Sequence, residues 1–237
     1  MTPDRGAWRL ARRQQTEERL DKFAATYDQE EGAISPTHLR FVTALIDTSP
    51  PGGRILDAAC GTGKHFGLVL AAGRQVVGAD QSAGMLAMAL AKHPDVPTSR
   101  TGLQELAFDA EFDAVMSVDA MEYVFPEDWS LVLANLRRAL RPGGNLYLTV
   151  ERTDEQRLAQ ALAEGLASGM PVVHGEDAGR GGGYHYYPPL DLVARWLREA
   201  GLSMVANEHS PGEDPSYSYV HLLLRANGRD QLRSRVS

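Results

Sequence analysis

Apolar positions fall into two rhythms along the chain. Short continuous runs at 54–59, 76–80, 97–101, 112–118 and 145–150, bounded by glycine, proline or acids, predict buried strands. Between them the spacing changes to the three-and-four rhythm of a helix. It places Leu39, Val42, Leu45 and Ile46 on one face after Ser35-Pro36, and Trp129, Val132, Leu133, Leu136 and Leu140 on another after Pro126. Further helices are predicted over 64–72, stopped by Gly73, over 82–91, capped by Ser82, and from Pro188-Pro189 to Gly201 with Leu192, Val193, Trp196 and Leu197 inward. Two closing strands follow at 202–210 and 217–225. Strands alternating with helices at this pitch require right-handed crossovers, so the pattern predicts an α/β domain built on a parallel sheet.

Composition narrows the class. The 237 residues, 43% hydrophobic, suffice for one domain with a sizeable core and are cramped for two, so 1–237 is read as a single domain. A formal net charge of −7 argues against a nucleic-acid surface. With one cysteine there is no internal disulfide, and no apolar segment reaches membrane-span length or resembles a signal peptide; a cytoplasmic protein, monomeric or homodimeric, is expected. The seven histidines are dispersed, so no metal site is expected. Residues 1–18 are so rich in charge that they read as a surface helix fraying at its start.

The chemistry concentrates where the first strand ends, at Asp57-Ala58-Ala59-Cys60-Gly61-Thr62-Gly63. Gly61 and Gly63 allow a tight turn against which a ligand can lie, and the next strand ends on Asp80, placed to accept from both hydroxyls of a ribose. Gly61, Gly63 and Gly67 also fit one dinucleotide spacing. The carboxylate of Asp57 would repel a pyrophosphate and suits a ligand carrying an ammonium or sulfonium. These residues, with Gly78-Ala79-Asp80-Gln81-Ser82, Met85-Leu86, Phe112-Asp113-Ala114-Val115 and Leu140-Arg141-Pro142-Gly143-Gly144, resemble the class I S-adenosylmethionine (SAM)-dependent methyltransferases over roughly residues 25–225.

That resemblance implies a doubly wound, Rossmann-like seven-stranded sheet of order 3-2-1-4-5-7-6, its final strand antiparallel and helices on both faces. It implies SAM as cofactor, held by Asp57, Ala59, Gly61, Thr62, Gly63, Asp80, Gln81, Met85, Leu103, Gln104 and Asp119. Leu103 stands where many relatives carry an aspartate for the adenine amino group. Tyr27 resembles a lid residue over the methionine end, within a helical lid over 1–34. The segment 151–187 reads as a second lid: Thr153-Asp154-Glu155-Gln156 resembles a capping box, and the glycines of 179–183 precede Tyr184-His185-Tyr186-Tyr187, either a pocket wall or a strand turning alternate rings to the core. If methyl transfer to a small-molecule acceptor needs a base, Glu122 and His185 are the candidates. The same features admit a non-methyl reaction such as cyclisation, or a non-catalytic SAM-binding module.

Overall fold

The parallel strands alternate their side chains between two helical layers. Ile55 on β1 (Arg54–Ala58) packs with Phe41, Val42 and Phe66 on one face, and Leu56 packs with Trp129, Leu133 and Val150 on the other. This computed structural model describes residues 4–179, 183–212 and 215–227. Arg180, Gly181 and Gly182 of the glycine cluster, and the tail from 228, lie outside the described residues.

The remaining strands are β2 (Gln75–Asp80), β3 (Thr98–Arg100), β4 (Phe112–Ser117), β5 (Leu140–Arg152), a two-residue pair β6 (Glu176–Asp177) and β7 (His185–Tyr186), then β8 (Leu202–Pro211) and β9 (Ser218–Ala226). The main sheet runs β3-β2-β1-β4-β5-β9-β8, parallel through β5 and antiparallel at β9 and β8. With the short β6–β7 ladder left out of the count, this is the expected order 3-2-1-4-5-7-6. The order reverses at β1 and β4, the switch point where ligands of open α/β sheets gather.

Helices α2 (Pro36–Asp47), α3 (Phe66–Ala71), α4 (Ala83–Lys92), α5 (Trp129–Ala139) and α7 (Leu190–Glu199) cover the sheet. On α2, Leu39 is exposed, and the inward face is His38, Phe41, Val42, Leu45 and Ile46. Helix α3 begins two residues later than expected, because residues 61–65 are spent on turns around the left-handed Gly61 and Gly63. The amides nearest the cradle are therefore those of the turn. Helix α6 (Glu155–Ala167) is capped by Asp154, which accepts from Arg157 N–H; Thr153 instead donates to Ser216 O, so no capping box forms.

The N-terminus departs most from expectation. Residues Arg5–Glu30 form one continuous helix, α1, whose charges pair with the body of the fold. Arg5 bonds Glu127 and Glu176, Arg9 bonds Asp128, Arg13 bonds Glu105, Glu17 bonds Arg100, Asp21 accepts from Ser82 and Gly84, and Asp28 bonds Lys92 and Thr62. These residues recur every four positions from Arg5 to Asp21 and again seven on at Asp28, a stripe winding along α1, so the charge that read as solvated is a row of latches. Gly84 lets α1 approach α4, since a Cβ there would lie 2.8 Å from Asp21 O. Among the described residues no helix is long and apolar enough to cross a membrane.

Candidate active site

Two connected chambers open at the carboxyl ends of β1, β2, β4 and β5. The first, about 110 Å³, runs past Ala59, Gly61, Asp80, Gln81, Met85, Leu103, Gln104 and Asp119, all expected site residues. The second, about 630 Å³, includes Glu122, His185 and Glu151. Leu20, Tyr27, Lys64, His65, Asp119 and Tyr123 line both and form the passage between them.

The first chamber is built from constrained backbone. Gly61 sits at φ +53°, and a Cβ built there would meet nothing within 4 Å, so its face is open to a ligand. Ala59 (φ +63°) and Asp119 (φ +50°) take the same left-handed conformation without being glycine, at the ends of β1 and β4. Such conformations cost on the order of 1–2 kcal/mol and gather at functional sites. Asp80 accepts from Gly61 N–H and Ser82 N–H, both at 2.8 Å, one on each carboxylate oxygen. Each oxygen keeps a lone pair, as two ribose hydroxyls require. Burial raises the Asp80 carboxyl above its usual range against the pull of those two amides. A short turn over Leu103–Glu105 closes one wall and is held by the buried Asn135, whose amide donates to Leu103 O and Gln104 O.

Three expected residues stand behind this wall rather than on it. Asp57 shares the face of Ile55 on β1, is 1% exposed, and lies 3.6 Å from His65 Nδ1; its Oδ2 has no hydrogen bond. Thr62, also buried, donates to Asp28 and fastens α1 to the turn. Gly63 faces the Phe66 ring, and a Cβ there would come within 2.8 Å of it. The motif located the turn; strand alternation turns Asp57 away from the cavity, and contacts to Asp28 and Phe66 do the same for Thr62 and Gly63.

At the passage, Asp119 Oδ1 meets His38 Nε2 at 2.9 Å, Oδ2 meets Lys64 Nζ at 3.5 Å, and Thr149 Oγ1 accepts from Asp119 N–H. Burial pushes this carboxyl up, but the His38 hydrogen bond and the His38 and Lys64 charges outweigh it and hold it at about 2. Tyr27 is raised by burial and then by Asp119. His38 and Lys64 were not singled out in the sequence; the available signal for Lys64 was its place directly after the glycine turn.

In the second chamber His185 Nδ1 lies 2.6 Å from Glu151 Oε2, and the imidazole packs edge-on to Tyr123 at 5.1 Å. Glu151 is buried, and so is Glu122, whose Oε2 has no hydrogen-bond partner. Burial, then the charges of Glu151 and Asp119, raise the Glu122 carboxyl well above its ordinary range. Tyr184, Tyr186 and Tyr187 are buried in the core while His185 between them reaches the cavity, so the aromatic segment serves as core strand and chamber wall together. Among the described residues no cluster of acids, histidines and cysteine fit to hold a metal ion occurs.

Fold and chambers together define a Rossmann-like α/β protein with two adjoining cavities at the switch point of its sheet. Residues 55–144 match the family model described as a methyltransferase domain. The chain is 31% identical over 206 residues to a ubiquinone biosynthesis O-methyltransferase of Xanthomonas campestris pv. campestris, covering 78% of this chain and 80% of that one. It is 27% identical over 205 residues to a demethylmenaquinone methyltransferase of Renibacterium salmoninarum, covering 81% and 86%. The fold is shared with the 1,6-didemethyltoxoflavin-N1-methyltransferase of Burkholderia thailandensis, solved with bound 1,6-didemethyltoxoflavin and S-adenosylhomocysteine (SAH), at TM-score 0.64 and 17% identity over 91% of this chain and 90% of that one. The chain belongs to the SAM-dependent methyltransferases: it is an enzyme of the small-molecule type that uses SAM as methyl donor.

Proposed function

We propose that the protein methylates a small biosynthetic or natural-product molecule bearing a flat ring, held in the wide chamber while SAM occupies the narrow one. The observation that carries this reading is the passage: one set of side chains, Tyr27, Lys64, Asp119 and Tyr123 among them, borders both spaces. Asp80 takes the ribose hydroxyls, Gly61 and Ala59 lie under the nucleoside, and Gln81, Met85, Leu103 and Gln104 enclose the adenine. Asp57 stands behind the wall, 3.6 Å from His65 at the passage. Phe23, Tyr217 and Tyr219 give the wide chamber ring faces against which a flat acceptor stacks. The names of the curated relatives, which concern quinone-pathway methylation, support a ring-bearing acceptor.

Bound SAM supplies a methyl group already activated by its sulfonium. The protein's task is then to hold the acceptor atom in line at about 3 Å, exclude water, and remove a proton where the acceptor carries one. Glu151 holds His185 by Nδ1, leaving Nε2 as the ring nitrogen able to take that proton. Helix α1 and the segment 151–187 serve as lids, the first contributing Leu20 and Tyr27 and the second His185 and Tyr184. Incubation with isotope-labelled SAM and fractionated metabolite extracts tests the reading. A product heavier by one labelled methyl group is expected. A SAM-dependent product without the label would point to a non-methyl reaction such as cyclisation, and absence of any SAM-dependent product would leave a binding module.

A further inference from the structure

The charged groups of the wide chamber are paired with one another, with one exception. Four carboxylates line it, Glu31, Asp119, Glu122 and Glu151, against two fixed cations, Arg19 and Lys64, and three histidines. Lys64 is committed to Asp119, and the Arg19 guanidinium lies over the Tyr123 ring at 6.0 Å. His185 is committed to Glu151. Glu122 is different: it is 4% exposed, borders the chamber, and keeps a buried carboxylate oxygen without a partner. Such an oxygen is costly unless a donor or cation arrives with the ligand. Phe23, Tyr27 and Tyr123 stand around the same space, and aromatic faces attract cations.

We propose that the atom methylated is a basic amine nitrogen, bound as an ammonium that pairs with Glu122 among the aromatic walls of the wide chamber. The inference rests on the methyltransferase reading and adds the chemical class of the acceptor. The sign of charge decides between nitrogen and oxygen. An ammonium displaces the proton of the buried Glu122 carboxyl to solvent and pairs with the carboxylate left behind, whereas a hydroxyl brings no charge and its deprotonated form adds a negative one beside it.

The chemistry closes without a further reactant. The ammonium gives one proton to His185 Nε2, whose Nδ1 side is held by Glu151. The freed nitrogen lone pair then forms a bond to the methyl carbon as the carbon–sulfur bond breaks, and its electron pair stays on sulfur. SAH leaves as a neutral thioether, and the product is a methylammonium that Glu122 again pairs. The proton on His185 returns to solvent.

Three probes of one shape test this on the full chain saturated with SAH: phenethylamine, 2-phenylethanol and 3-phenylpropanoate, with affinities read by calorimetry or ligand-observed NMR. The amine is expected to bind at least about tenfold tighter than the alcohol, with the carboxylate weakest; tenfold is about 1.4 kcal/mol. Glu122→Gln should cut the amine's advantage to less than about threefold while SAH affinity stays within about twofold. The proposal is overturned if alcohol or carboxylate matches the amine, if none of the three binds, or if Glu122→Gln leaves the preference intact. Should the variant not fold, the ranking on the parent decides alone. Failure of the parent to bind SAH would remove the methyltransferase reading and this inference with it, whereas SAH binding with a reversed ranking removes only the amine.

Discussion

Asp80→Asn is the sharpest probe of the narrow chamber, because it keeps size and shape and changes only what the group can accept. In the parent, one oxygen accepts from Gly61 N–H and the other from Ser82 N–H, each at 2.8 Å. An amide offers one oxygen and one NH2, so a backbone N–H must face another donor. That forfeits one hydrogen bond to a charged acceptor, about 1.5–3 kcal/mol, and one of the two ribose hydroxyls loses its acceptor as well. Part of the cost falls on the free protein and lowers its unfolding temperature. The part specific to the ligand should weaken SAH about ten- to a hundredfold, or about 1.4–2.8 kcal/mol. Calorimetry with SAH on both proteins separates the two effects when paired with thermal unfolding of the free forms. A variant that unfolds earlier but binds SAH with the parent's affinity would refute the ribose assignment and leave Asp80 as a clamp for the Gly61 turn.

Three other outcomes follow from the same structure. Glu122 has a folded-state pKa raised by burial and neighbouring acids. The folded protein thus holds a proton the unfolded chain has lost, and stability falls as pH rises from about 4.5 toward that raised value. Urea unfolding should show Glu122→Gln gaining on the parent as pH rises over that window, and a pH-independent difference would contradict it. Arg5→Ala strands Glu176, whose side chain is fully buried, and although Tyr184 and Val173 still donate to it the loss should be about 2–4 kcal/mol, lowering Tm by roughly 4–16 °C. Arg13→Ala, whose partner Glu105 is half-exposed, should cost less than about 1 kcal/mol, and equal effects of the two would undo the latch argument. If 151–187 is a lid, hydrogen exchange at 170–179 and 183–187 should slow when SAH and acceptor are both bound, and unchanged protection would remove that role.

What the sequence disclosed follows the range of the forces involved. The sheet, its helices, Gly61, Asp80, Met85 and the turn at Leu103 were legible, because strand burial and turn conformation are written in neighbouring residues. Asp57, Thr62 and Gly63 came with the right motif, but which of them reach the cavity depends on the pleat of β1 and on α1 lying overhead. Glu151 and His185 sit 34 positions apart, and Arg5 and Glu176 171 apart, so nothing local joins them. The charges of helix α1 were misread for that reason. A row of arginines and acids has the same local pattern whether it faces water or the rim of a cavity, and only the tertiary partner tells the two apart.

Asp119 shows how the fold turns such long-range contacts into a site. It stands two residues past β4 at the switch point in a left-handed conformation that Asp tolerates better than most residues and that still costs free energy. Thr149 on the neighbouring β5 captures its N–H, and His38 from α2 and Lys64 from the glycine turn take its two oxygens. Three elements therefore converge on one strained residue and offset its strain with hydrogen bonds to a charged group. Those same bonds keep the carboxylate ionised down to about pH 2, so a fixed negative charge stands at the passage under all ordinary conditions. In the proposed placement of SAM, a sulfonium reaching that passage meets a carboxylate already ionised and held in place by His38 and Lys64. Glu122 lies three residues further on, with its Oε2 left without a hydrogen bond. Its proton is therefore free to respond to what enters the wide chamber while Asp119 stays constant.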